Sequence, residues 1–163
     1  MPHLAHVLAL EPDHVLAHFH LARCLRSLGR LEEARGLLTQ AMSLQPGFAP
    51  PYFLMAEWDE ASRGVAAARA ALEEGLRALP MHEPLHAALL QLDLRHHLLA
   101  QAATDAWAAL RVLPKGGEGH WHALVASFLF QEGHPDQGRM LLGMGLASFP
   151  RHPLLQRLRD LEG

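Results

Sequence analysis

Histidine is the residue type in this chain that most suggests chemistry, because thirteen of the 163 residues are histidines. His14 and His18 stand four residues apart, and His82 and His86 repeat that spacing two sequence periods later. On a helix this spacing places both imidazoles on one face, where a transition metal can bridge them. Two histidine ligands do not close a structural site. We therefore keep these four histidines only as a weak metal candidate, and we expect no metal and no cofactor.

Other reactive arrangements are not visible in the sequence. It shows no nucleophile–base pair, Gly-rich phosphate loop or carboxylate dyad, so we expect no enzymatic activity. The net charge of −3 gives no electrostatic footprint for nucleic acid or for an anionic membrane. No run of about 20 apolar residues is present. The start at Met1 lacks the basic and apolar segments of a secretory signal, so we expect a cytoplasmic protein.

The elements that must position any site are set by five regularly spaced prolines. They are spaced 34, 34, 34 and 36 residues apart: Pro12, Pro46, Pro80, Pro114 and Pro150. A fixed period of this length is typical of a stacked helical repeat. The Gly-rich stretch 115–118 is expected to form a loop that absorbs the two extra residues of the last interval.

Small residues recur at two positions of every period. Twelve residues before the last four prolines stand Ala34, Ala68, Ala102 and Gly138. Five residues before them stand Ala41, Gly75, Ala109 and Gly145. Only Ala or Gly lets two helix backbones approach closely, since larger side chains there would overpack the contact. The sequence therefore predicts two tight helix crossings in each period.

The clearest copy reads LARCLRSLGRLEEA from Leu21 to Ala34, with a turn at Gly29, and it resembles the tetratricopeptide repeat. The resemblance implies an all-α fold, an α-solenoid in the form of a right-handed superhelix of about four helix-turn-helix pairs. It divides one domain, 1–163, into a partial helix B at 3–11, repeats at 13–45, 48–79, 82–113 and 118–149, and a capping helix at 152–162. The unfinished N-terminal half-repeat is a candidate surface for self-association.

The repeat register gives several histidines a structural explanation. Position 4 of the first helix in each pair holds a planar ring, where the family has an aromatic side chain between adjacent helices: His18, Tyr52, His86 and His122. His14 and His82 then fall in the loop before a helix. Position 11 is apolar in the family, but Asp59 and Asp93 hold it here. Their helices are expected either to pack differently or to turn these carboxylates to solvent.

The resemblance also implies a concave groove lined mainly by the first helix of each pair. Its predicted lining is Phe19, Arg23, Arg26, Phe53, Glu57, Glu60, Gln91, Arg95, Ser127 and Phe130. Phe19 and Phe53 are expected side by side, with charges of both signs next to them. Such a surface suits a peptide that has an apolar anchor flanked by charged residues. Some of these charges are also expected to pair with one another.

The function predicted from these features is a non-enzymatic scaffold or adaptor that binds a peptide segment of a partner protein. Two alternatives stay open. One is a regulatory or substrate-presenting module of an enzyme complex, and the other is a small secretion-type chaperone with the same repeat.

Overall fold

The computed structural model describes residues 2–113, 119–131 and 133–162. All regular secondary structure in these ranges is helical. The helices are α1 (Pro2–Leu10), α2 (Val15–Ser27), α3 (Leu31–Leu44), α4 (Pro50–Ser62), α5 (Val65–Ala78), α6 (Glu83–Arg95), α7 (Leu99–Val112), α8 (His120–Gln131), α9 (Pro135–Ser148) and α10 (Pro153–Glu162). The loop expected at 115–118 lies outside the described residues, as does Pro114.

The first compact unit comprises residues 1–80 and contains α1 to α5. Within it α2 packs on α3 and α4 packs on α5, so each predicted pair forms a helical hairpin. Ala34, Ala41 and Ala68 have no exposed surface. The predicted tight crossings are therefore confirmed in this unit.

The second compact unit comprises residues 81–163 and contains α6 to α10. Its pairs are α6 with α7 and α8 with α9, while α10 packs on both α8 and α9. A methyl group on Gly145 would lie 2.7 Å from Cβ of His122, and one on Gly138 would lie 2.8 Å from the ring of Phe130. Glycine is thus required at Gly145, because alanine would collide with Cβ of His122, whereas alanine at Gly138 would force the Phe130 ring to move.

The turn inside each pair uses a residue with a left-handed backbone. Gly29, Gly64 and Gly133 adopt φ values of 76°, 90° and 77°, which glycine reaches without steric cost. In the third pair His97 takes this conformation, with φ of 54°. The turn predicted at Gly29 is confirmed, and the turn at His97 carries the backbone strain of a non-glycine residue.

Candidate functional site

The side chains at position 4 form hydrogen bonds that the sequence pattern did not suggest. His18 donates from Nε2 to the carbonyl oxygen of Pro12 at 2.7 Å, and the Tyr52 hydroxyl donates to that of Pro46 at 3.1 Å. Gln156 in α10 donates to the carbonyl of Pro150 at 2.9 Å. Each bond joins a helix to the proline six residues before it. These three prolines therefore act as acceptors that fix the start of the following helix.

His14 and His82, expected in loops, are the N-cap residues of α2 and α6. Nδ1 of His14 accepts a hydrogen bond from the amide of Ala17 at 3.2 Å, and Nδ1 of His82 accepts one from Leu85 at 3.3 Å. A cap of this kind satisfies an amide that the helix leaves without a partner. Two of the four histidines of the weak metal candidate, His14 and His82, therefore cap helices. Across the described residues, no cluster of three or more His, Cys, Asp or Glu side chains could hold a metal ion.

Aromatic rings and arginines meet on one face of the first unit. We call it the α2–α4 surface, and it consists of Phe19, Arg23, Arg26, Phe48, Glu57 and Trp58. Phe19 contacts the ring of Phe48 edge to face, with the centroids 5.6 Å apart, and the guanidinium of Arg23 lies 5.9 Å from the Phe19 centroid. Phe48 precedes α4 and was not among the predicted groove residues. Its contact with Phe19 depends on how the loop folds back, which residue spacing does not reveal.

Arg26 is held in place by stacking. Its guanidinium carbon lies 4.9 Å above the ring of Trp58, a cation–π arrangement, and its Nη2 lies 3.8 Å from Glu57 Oε1. The Glu57 side chain is 68% exposed, so this ion pair contributes little to stability. Nη1 of Arg26 is buried without a hydrogen-bond partner among the described residues. The pairing predicted between an arginine of α2 and a glutamate of α4 is therefore present in a weak form.

Asp59 lies on the buried side of the same helix. Its carboxylate is paired with Arg35 of α3 through both guanidinium Nη atoms, and the residue is only 4% exposed. Asp93, at the same position of the next repeat, is fully buried. The expectation that these carboxylates turn to solvent is wrong. In the first unit Arg35 supplies the compensating charge and joins α3 to α4.

The remaining predicted groove residues take different environments. Phe53 and Glu60 are half-buried in α4, and Phe53 borders the α2–α4 surface because it stands one helical turn before Glu57. Gln91 and Arg95 are exposed in α6. Phe130 lies against Gly138 of α9 and contributes to the core of the second unit. We therefore leave Phe130 out of any contact surface.

Ser127 lines a cleft between α8 and α10 in the second unit. The volume of this α8–α10 cleft is about 190 Å³. Its lining residues are His120, Ala123, Leu124, Ser127, Leu154, Arg157, Leu158 and Leu161. The cleft is lined by α8 of the fourth helix pair and by α10, the helix that the sequence predicts as a cap.

Two buried contacts hold α8 in the second unit. The indole N–H of Trp121 donates to Glu83 Oε1 at 3.0 Å, which connects α8 with the start of α6. The His122 ring lies 6.0 Å from that of Phe149, and burial lowers the pKa of His122 below its usual range. Burial therefore favours the neutral form of this histidine.

In the ranges that the structure describes, no helix has both the length and the apolar character needed to cross a membrane. Paired helices with buried small residues at their crossings define a helical-repeat protein. Residues 1–56 match the family model described as tetratricopeptide repeat. This match covers the first helix pair and the start of α4, and the same paired-helix fold recurs in both units. No curated protein matches the chain.

Solved structures with similar folds share little sequence with this chain. MamA is 15% identical with a TM-score of 0.60, over 89% of this chain and 78% of that one. A thermophilic tetratricopeptide-repeat protein of Thermus thermophilus is 18% identical with a TM-score of 0.55, over 98% and 86%. YrrB, described as a tetratricopeptide-repeat protein with an unusual peptide-binding site, is 13% identical with a TM-score of 0.52, over 96% and 97%. These likenesses show the fold.

Proposed function

We propose that this protein is a non-enzymatic scaffold or adaptor that binds a peptide segment of a partner protein at the α2–α4 surface. Tetratricopeptide-repeat proteins are in general interaction modules rather than enzymes. The observation that carries the proposal is Arg26, which is fixed on Trp58 while its charge is only weakly neutralised by Glu57. A cation held in this way beside aromatic rings is suited to contact a ligand.

The energetics of binding favour such a surface. Trp, Tyr and Arg are the residue types that most often dominate binding energy at protein interfaces. Stacking holds Arg26 and Arg23 in defined positions before a ligand arrives, so less side-chain entropy is lost on binding. Phe19 and Phe53 are half-buried and can offer apolar contact area next to these charges. YrrB, with its peptide-binding site, shows that a protein of this fold can have such a function.

The proposal is tested by replacing Phe19 and Phe53 together with alanine. Affinity capture from the native lysate, read by mass spectrometry, should lose the partner that the unchanged protein retains. Circular dichroism should show the same helicity, because neither side chain is fully buried. A matched control replaces Met140 and Met144, which are 57% and 48% exposed on α9, and should retain the partner.

Arg26 gives a second, independent test. Arg26→Met keeps an apolar stem over Trp58 but removes the charge, and it should weaken the affinity for the captured partner about tenfold. Arg26→Lys should recover part of the loss, because lysine restores the charge without the planar stack. If both the double phenylalanine variant and Arg26→Met bind the partner as the unchanged protein does, this surface is not the binding site.

A further inference from the structure

Helix α10 has the same register as the first helices of the repeats. The bond from Gln156 to Pro150 repeats the bonds of His18 and Tyr52 with their own prolines, across the same six-residue separation. Relative to Gln156, Leu154 stands two residues before, Arg157 one residue after and Leu161 five residues after. In α8 the same offsets from His122 give His120, Ala123 and Ser127. All six residues line the α8–α10 cleft.

The size and lining of the cleft suit one large apolar side chain. Ala123, Leu124 and Leu158 provide apolar walls, and Leu154 and Leu161 are 43% and 75% exposed at its edge. An apolar cavity of about 150 Å³ is known to hold a benzene molecule. A cleft of about 190 Å³ therefore accommodates a leucine or phenylalanine side chain. Covering the exposed leucines would add to the stabilisation.

One cationic side chain lies at the cleft. Arg157 belongs to its lining, and none of the lining residues that the structure describes carries a carboxylate. Among the described residues Arg157 forms no ion pair, whereas Arg159 on the same helix bonds Asp160 at 2.9 Å. The Arg157 side chain is exposed and can therefore pair with a carboxylate of a ligand.

We propose that the α8–α10 cleft is a second binding site, which accepts a partner segment with one large apolar side chain beside an Asp or Glu side chain. The apolar group enters between α8 and α10, and the carboxylate pairs with Arg157. This site shares no residue with the α2–α4 surface. It does not depend on the function proposed for that surface.

Methyl-resolved NMR on the full chain with labelled leucines tests this proposal. The probe is a set of synthetic twelve-residue peptides with one Leu, Ile, Met or Phe and a single Asp or Glu within three residues of it. A matched set has Lys in place of the acid, and a third set has the acid only as the terminal carboxylate. Members of the acidic set should shift the methyl signals of Leu154, Leu158 and Leu161. The lysine and terminal-carboxylate sets should leave these signals unchanged.

Substitutions then assign the contacts. Arg157→Glu should weaken binding of the acidic peptide about tenfold and transfer the preference to the lysine peptide. Leu161→Ser should weaken binding of the acidic peptide to the protein that keeps Arg157. Combined with Arg157→Glu, it should weaken binding of the lysine peptide. Arg159→Glu, on the same helix but outside the cleft lining, should bind like the unchanged protein, and so should the double alanine variant of Phe19 and Phe53.

Three results would overturn the proposal. One is that no acidic peptide shifts the cleft methyls at millimolar concentration. Another is that Arg157→Glu leaves the preference for acidic peptides unchanged. The last is that the cleft signals move with protein concentration alone, which would show that a second copy of the chain fills the cleft. None of these results bears on the α2–α4 surface, whose own variants test it separately.

Discussion

His18 Nε2 lies 2.7 Å from the carbonyl oxygen of Pro12, and this hydrogen bond joins α2 to the end of the preceding segment. Tyr52 and Gln156 form the corresponding bonds with Pro46 and Pro150. An imidazole, a phenol and an amide thus do the same work. The property they share is a donor at the end of a planar group, so hydrogen bonding explains the choice of residue at these three positions.

Replacing His18 with phenylalanine keeps a ring of similar breadth and removes the donor. The Pro12 carbonyl then loses its partner, and we expect the free energy of unfolding to fall by about 0.5–1.5 kcal/mol. His18→Tyr should lose less, because a hydroxyl serves this purpose at Tyr52. Urea unfolding followed by circular dichroism measures both changes. His20→Phe, at an exposed position of the same helix, is the control and should change little.

Burial of His122 predicts a stability that depends on pH. Its pKa is lowered in the folded protein, whereas the unfolded chain titrates near the ordinary value of about 6.5. Between these two values the unfolded state binds more protons, so stability is complete above about pH 6.5 and declines as the pH falls through the folded pKa. The melting temperature should be lower at pH 5.5 than at pH 7.5.

The contribution of His122 is isolated by His122→Phe. This variant cannot take up the proton, and its melting temperature should change less between the two pH values than that of the unchanged protein. Equal changes in both proteins would show that other groups cause the dependence. If the protein without substitutions has the same melting temperature at pH 5.5 and pH 7.5, this would contradict a lowered pKa of His122.

Helix α9 offers a matched pair of glycine substitutions. Gly143 has open space around it, so Gly143→Ala should stabilise the protein by about 0.5–1 kcal/mol through backbone entropy. Gly145→Ala would place a methyl group 2.7 Å from Cβ of His122 and 3.0 Å from Leu155, and it should destabilise by about 1–3 kcal/mol. Thermal unfolding of the two variants should give melting temperatures on opposite sides of the unchanged protein. Shifts of the same sign would contradict the close approach of α8 and α9.

The buried pair of Arg35 and Asp59 can be separated by a double-mutant cycle. Asp59→Leu alone leaves the arginine without its partner and should cost about 3–5 kcal/mol. Changing Arg35→Met in addition should recover most of the loss, because an apolar pair of similar volume avoids the desolvation penalty. Denaturant unfolding of the two single variants and the double variant gives the coupling energy. Additive losses would mean that the two side chains do not depend on each other.

The repeat pattern was readable because its causes are local or strictly periodic. Ala34, Ala68 and Gly138 mark helix crossings by size alone, and Gly29 marks a turn by its backbone freedom. The partner of Asp59 could not be read in this way. Arg35 is 24 residues away on another helix, and only the packing of α3 on α4 brings the two charges together.

The candidate surface was predictable in outline from helical spacing, which placed Phe19 and Arg23 on one face of α2. The partners of Phe19 and Arg26 were not predictable. Phe48 lies in a loop, and Trp58 occupies a buried position of α4. The α8–α10 cleft was not predictable for a different reason. The repeat register indicates only a capping helix at 152–162, and the Gln156 bond that fixes its register is visible only in the structure.

The two buried indoles give this protein an internal set of optical reporters. Trp58 is 4% exposed in the first unit, and Trp121 is 2% exposed in the second. Emission from Trp58 should respond when the stacked Arg26 moves, whereas emission from Trp121 should follow its bond to Glu83. A variant in which Phe replaces Trp107 and one of these two tryptophans would therefore report on the unit of the remaining tryptophan by its fluorescence.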